Sequence, residues 1–215
     1  MKENLRKKLP IILIILLPFF YLAYTWDDLP NQVPLHWNSQ GEIDRWGDKS
    51  QLILICVLLP LLTYLIFFLV PIIDPKKKIS KMGNKLHSLK FVLTLFMTVL
   101  AMLIVFAVKN HSFSNPNLMY ISMGVLFTIL GNFFKTIKSN YFIGIRTPWT
   151  LENEIVWKET HILGGKLWFV GGLVIVISSL FINTDISRVI FLTVTGIITI
   201  IPIVFSYIRF KNINK

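Results

Sequence analysis

The chain has 215 residues, 54% of them hydrophobic and 15% charged, with a mean hydropathy of +0.65. That composition excludes a soluble domain wrapped round one core and fits an integral membrane protein. The formal net charge of +11 would suit a nucleic-acid partner, but its distribution (below) reads as membrane topology, and the single Cys56 leaves no intramolecular disulfide and no cysteine metal cluster.

Six apolar stretches, residues 9–25, 51–73, 89–108, 118–135, 165–182 and 189–208, are each near the ~20 residues that cross a bilayer as a helix. The first follows Lys2, Arg6, Lys7 and Lys8, as the apolar core of a signal peptide would. No small-x-small cleavage site follows Tyr24, so the expectation is an uncleaved helix. Pro18, Pro60 and Pro202 lie inside spans and are expected to bend them.

Between the first two spans lies WDDLPNQVPLHWNSQGEIDRWGDKS, residues 26–50. Pro30 and Pro34 push their predecessors into extended backbone, and Ser39-Gln40-Gly41 reads as a turn. His36 and Asp44 are poor metal spacing; His36 and Asn38 are expected to hydrogen-bond within the loop, with Trp37 and Trp46 at the membrane interface. No metal and no cofactor is expected anywhere in the chain. The pattern Leu-Pro-x-x-Val-Pro-x-His-Trp-Asn-x-x-Gly-x-x-Asp, which includes Pro34, His36, Trp37, Asn38, Gly41 and Asp44, resembles a small domain of unknown function that often precedes immunity-type spans.

After the second span, Lys76, Lys77, Lys78, Lys81 and Lys85 form the densest basic cluster, placed to meet anionic lipid headgroups. Further on, Gly124 and Gly131 recur at a seven-residue interval on span four. Gly164 with Gly171 and Gly165 with Gly172 do the same on span five. Such stripes predict close packing of spans four and five. Asn132, near the inner end of span four, is expected to find a helix-to-helix hydrogen bond.

The most distinctive stretch is NYFIGIRTPWTLENEIVWKETH, residues 140–161. Gly144 and Pro148 bracket Arg146, so the backbone there is not a plain helix. Thr147 before Pro148 reads as an N-cap, and Thr150 as a second candidate cap. Leu151, Ile155 and Ile162 on one face, flanked by Trp149 and Trp157, predict a short amphipathic interfacial helix, with Glu154 and Lys158 in favourable i,i+4 order. A guanidinium so confined suits a two-pronged contact with a carboxylate.

The run GIRTPWTL, followed by Val156-Trp157-Lys158, closely resembles the signature of the Sdp immunity proteins, bacterial membrane proteins that protect against a secreted killing toxin. Thr160-His161 and Gly164-Gly165 continue it in a form associated with the wider family of immunity-like paralogues. The resemblance implies a protein that neutralises a toxin at the membrane and captures a transcriptional repressor when engaged. With the residues read above, the candidate functional set on the inner side is Asn132, Asn140, Gly144, Arg146, Thr147, Pro148, Trp149, Thr150, Trp157 and His161.

With the N-terminus inside, the inner segments hold 18 of the 22 Lys and Arg residues against five acids, a balance of +13. The outer segments hold Arg45, Lys49, Lys109 and Arg188 against six acids, a balance of −2. This asymmetry places both termini and the inner loop in the cytoplasm, and no direct nucleic-acid binding is expected. The outer acids Asp27, Asp28, Glu42, Asp44 and Asp48 would attract a cationic peptide.

No phosphate loop, zinc-protease motif or nucleophile elbow is present in the sequence, and no span carries a central charge. The chain therefore reads as an all-α integral membrane protein of six transmembrane helices with a short cytoplasmic interfacial helix, and not as an enzyme. Residues 1–75 form an N-terminal membrane domain of two helices and the outer loop; residues 76–215 form a four-helix domain. Membrane lipids are its expected partners, and the resemblance implies two more, a secreted peptide toxin outside and a transcriptional repressor inside. The second reading is a small transporter or channel for a neutral substrate.

Overall fold

The computed structural model describes residues 5–38, 42–110 and 117–213. Among the described residues six helices are long and apolar enough to cross a membrane, and the chain is a multi-pass membrane protein. In chain order they are α1 (Leu5–Thr25), α2 (Gln51–Ile73), α3 (Asn84–Lys109), α4 (Asn117–Phe134), α6 (Glu154–Phe181) and α7 (Thr184–Ile213), with a five-residue helix α5 (Pro148–Glu152) before α6. Two compact units result: Met1–Leu69 with Leu86–Pro116, and Val70–Lys85 with Asn117–Lys215. In the first unit most of α3 packs with α1 and the greater part of α2.

In the first unit, α1 is held to α3 by the Thr98 hydroxyl, which donates to the Ile14 carbonyl at 3.2 Å. A carbonyl next to a proline-disturbed turn has spare acceptor capacity, and Pro18 lies four residues on. Proline inside α2 is accommodated differently. Around Pro60 the helix widens to a π turn, Val57–Leu61, which absorbs the missing N–H and ring clash without ending the span.

The loop between α1 and α2 is more ordered than its prolines suggest. Strands β1 (Gln32–Trp37) and β2 (Ile43–Asp48) pair antiparallel, Gln32 opposite Asp48 and Pro34 opposite Trp46, with irregular register on both sides of His36. Val33 is fully buried and packs with Leu22, Leu29, Leu52 and Val108. The hairpin thus covers the ends of three helices, and burial of its apolar face is what two strands need to persist. Exposed side chains link the two strands beyond this core. His36 Nδ1 meets Asp44 Oδ1 at 2.5 Å, and Asn38 exchanges hydrogen bonds with Glu42 through both its amide groups at 2.9 Å. Gly41, with its turn, and the Trp37 side chain lie outside the described residues.

In the second unit, α4, α6 and α7 pack in sequence. A Cβ placed on Gly131 would lie 2.4 Å from the Phe169 nitrogen, and one on Gly172 would lie 2.5 Å from the Gly124 carbonyl oxygen. Backbone therefore touches backbone along the α4–α6 seam, the close approach that the glycine spacing predicts. In the other stripe Gly171 is set against Ile198 of α7, whereas Gly164 lies nearest Ile145, with Phe134 and Pro202 farther off. Phe127, Phe134 and Trp168 form a ladder of rings 5.0 Å apart within this core.

Candidate functional site

The 135–161 segment folds back on itself, and each turn of the fold has a local cause. Past α4, Trp157 from the start of α6 donates its indole N–H to the Ile137 carbonyl at 2.8 Å. Next comes Asn140, 2% exposed. Its amide nitrogen donates to the carbonyls of Lys138 and Ile143, and its oxygen accepts from the N–H groups of Phe142 and Ile143, all at 2.7–2.9 Å. A side chain with two donors and two acceptors, all satisfied, replaces the ladder that a helix or strand would supply.

Gly144 follows at φ +116, and its α-carbon lies against the rings of Trp157 and His161. Those two rings stack at 4.1 Å. His161 Nε2 accepts the Ile145 N–H at 3.0 Å, so Nε2 carries no proton; Nδ1 then carries it and donates to the Trp157 carbonyl at 2.8 Å. The imidazole is a neutral, buried bracket between loop and helix.

Thr147 then caps α5. Its hydroxyl accepts the Thr150 N–H, while Thr150 returns the bond to the Thr147 N–H, a capping box on either side of Pro148. Thr150 is fully buried and also donates to the Ile145 carbonyl at 2.9 Å. The second cap is Asn153, not Thr150: its side chain accepts from Ile155 and Val156 and starts α6. The single amphipathic helix expected here is therefore two helices, with Leu151 on one and Ile155 and Ile162 on the other. Trp157 does not flank an interface but fills the interior. Trp149 donates its indole N–H to Ser206 on α7 and rests edge-on against Tyr207.

Arg146 is exposed and donates from Nη1 to the Tyr141 carbonyl. No carboxylate among the described residues pairs with it, so the fork is not used internally. The two-pronged pair of this region is elsewhere: Arg209 on α7 meets both oxygens of Glu159 on α6. Asn132 is exposed and bonds to no described residue, so the expected interhelical hydrogen bond is not formed; helix α4 turns it away from the glycine seam that Gly131 occupies.

The preceding basic segment folds onto the same loop. Asp74, 3% exposed, accepts from the N–H groups of Lys76 and Ile79 and shapes the turn after α2. Lys76 donates to the Tyr141 hydroxyl at 2.8 Å, and that bond holds its ammonium above the usual lysine range. Lys78 pairs with Glu154 at 3.0 Å. Asp74, Asn153, Ser206 and the Glu159–Arg209 pair all escape the sequence reading. Only Asn153, just before an apolar run, carried a local signal.

A family model described as the SdpI/YfhL protein family matches residues 136–206, from the turn after α4 to the serine that receives Trp149. A model of a domain of unknown function, DUF1648, matches residues 13–62, which hold the whole hairpin. Immunity protein SdpI of Bacillus subtilis (strain 168) is 26% identical over 210 residues, 98% of this chain and 99% of that protein. This chain is thus similar to that immunity protein along nearly its whole length, and it matches the SdpI/YfhL model over residues 136–206. No solved structure matches it. Within the SdpI/YfhL segment lie Asn140, Gly144, Arg146, Thr147, Pro148, Trp149, Thr150, Trp157 and His161; Asn132 lies just ahead of it. The DUF1648 segment holds Pro34, His36, Trp37, Asn38, Gly41 and Asp44.

Proposed function

We propose that this protein is a bacterial toxin-immunity membrane protein that acts by binding and not by catalysis. The observation that carries the reading is the similarity to an immunity protein along practically the whole of both chains. It is supported by the fate of the motif residues: Asn140, Thr150, Trp157 and His161 are consumed in holding the loop's shape. In this reading both termini and the inner loop face the cytoplasm, following the excess of Lys and Arg, and the hairpin faces outward, where its acidic rim draws in a cationic peptide toxin.

Output runs through the cytoplasmic loop. Arg146 stands on a rigid turn with donors left over for an acidic partner, and the partner is a transcriptional repressor held at the membrane. The deciding experiment expresses the gene in a toxin-sensitive host beside an empty vector and measures survival over a toxin dilution series. Survival raised only by the gene supports the reading; equal killing, with the protein present in the membrane, rejects it.

A further inference from the structure

The seam of α4 and α6 leaves two cavities end to end. The first, about 470 Å³, is lined by Lys78, Lys81, Lys135, Lys138 and Lys158, with Glu154 as the only acid of its wall. Glu154 is already paired with Lys78. The second, about 580 Å³, is mainly apolar and runs over Gly131, Ile162, Gly165, Phe169 and Val170, edged by Asn132, Lys135 and Lys166. Lys135 lines both, so they form one groove with a basic end and an apolar end.

The groove exists because of the glycine contact. Gly131 and Gly165 bring the helix backbones together, each with its Cβ position against the facing helix, and both line the second cavity. Ile162, Phe169 and Val170 project beside it and are exposed. Among the described residues Lys81, Lys135, Lys138 and Lys158 form no ion pair, although Lys158 neighbours Glu159, so like charges crowd a confined cleft that favours an anion. A soluble anion would leave the apolar end unfilled, and a neutral lipid would leave the lysines unmatched.

We propose that this groove is a binding site for one anionic phospholipid. Its phosphodiester sits among Lys135, Lys138 and Lys158, and one acyl chain lies along Gly131, Gly165 and Val170. Asn132 and Lys166 stand at the boundary, where a glycerol backbone needs hydrogen-bond donors, and this gives the exposed Asn132 amide a use that the helix packing does not.

The test uses the full-length protein purified in a mild detergent, with thermal unfolding followed as lipid is added. Phosphatidylglycerol should raise the unfolding temperature by several degrees. Phosphatidylcholine with the same chains, and glycerophosphoglycerol without chains, should not. Native mass spectrometry should find one phosphatidylglycerol retained per chain. The double variant Lys135→Gln, Lys158→Gln should lose more than half of the shift and the retained lipid, and Val170→Trp, which fills the apolar end, should do likewise. Lys77→Gln with Lys85→Gln, outside the groove, should change neither. An equal shift from phosphatidylcholine or from glycerophosphoglycerol overturns the proposal. So does an equal loss in the Lys77 and Lys85 variant, which would mean diffuse attraction to a basic surface.

Discussion

Gly144 and His161 are in direct contact: a Cβ on Gly144 would lie 2.4 Å from His161 Nε2, the atom that accepts the Ile145 N–H. Glycine is required there twice over, by φ +116 and by the ring beneath it. Gly83 offers an internal control, because it also has a positive φ, +54, but nothing lies within 4 Å of its Cβ position. Gly83→Ala should cost only backbone strain, roughly 1–3 kcal/mol. Gly144→Ala should cost more and also dislodge the imidazole. Thermal unfolding of the two purified variants decides it, and equal losses would mean that the contact with His161 has no energetic weight.

His161→Phe keeps a ring for Trp157 to stack on but leaves the buried Ile145 N–H without an acceptor, at a cost of roughly 1–3 kcal/mol. Hydrogen exchange should report this locally, with the Ile145 amide losing protection while amides in the α4–α6 seam keep theirs. A protected Ile145 amide in the variant would contradict the assignment of Nε2 as its partner.

For Arg146 the informative comparison is between Arg146→Lys and Arg146→Ala. Lysine keeps the charge and loses the planar fork. If the guanidinium serves a partner by geometry, both variants reach the membrane at normal levels and both lose toxin protection, while Lys77→Ala loses nothing. Wild-type protection in Arg146→Lys would reduce the residue to an orienting charge.

The Glu159–Arg209 contact joins the start of α6 to the end of α7, partly in solvent. Glu159→Gln and Arg209→Gln should each lower the unfolding temperature, and the double variant should lose less than the two losses added, with a coupling that shrinks at high salt. Additive losses would show that the pair is geometrically formed yet energetically silent.

Orientation is open to direct labelling in a Cys56→Ser background, Cys56 being buried. Arg45, Ser80 and Glu152 are exposed positions, better suited to cysteine than Asn153, whose side chain caps α6. An impermeant thiol reagent on intact cells should label the Arg45→Cys protein alone. Label on Glu152→Cys would invert the topology.

What the sequence made legible was what acts over a few residues or repeats along a helix. The spans follow from apolar length, the α4–α6 seam from glycine intervals, and the Thr147-Pro148 cap from two adjacent residues. Where the information is non-local it fails. Trp149 and Ser206 stand 57 residues apart, and Glu159 and Arg209 stand 50 apart; no spacing rule links them, so the forked contact was expected at Arg146 instead. The hairpin was hidden for another reason: its strands are short, and its bulges at His36 break the alternation that marks a strand.

The four bonds of Asn140 imply something about spelling. Aspartate in its place would bring no donors to the carbonyls of Lys138 and Ile143, glutamine would carry the amide one methylene too far, and serine would supply too few hands. The amino-acid alphabet thus holds a single letter that makes all four bonds in this loop. Distant genomes could then be searched with three letters at the offsets of Asn140, Gly144 and His161, even where the rest of the text has drifted beyond recognition.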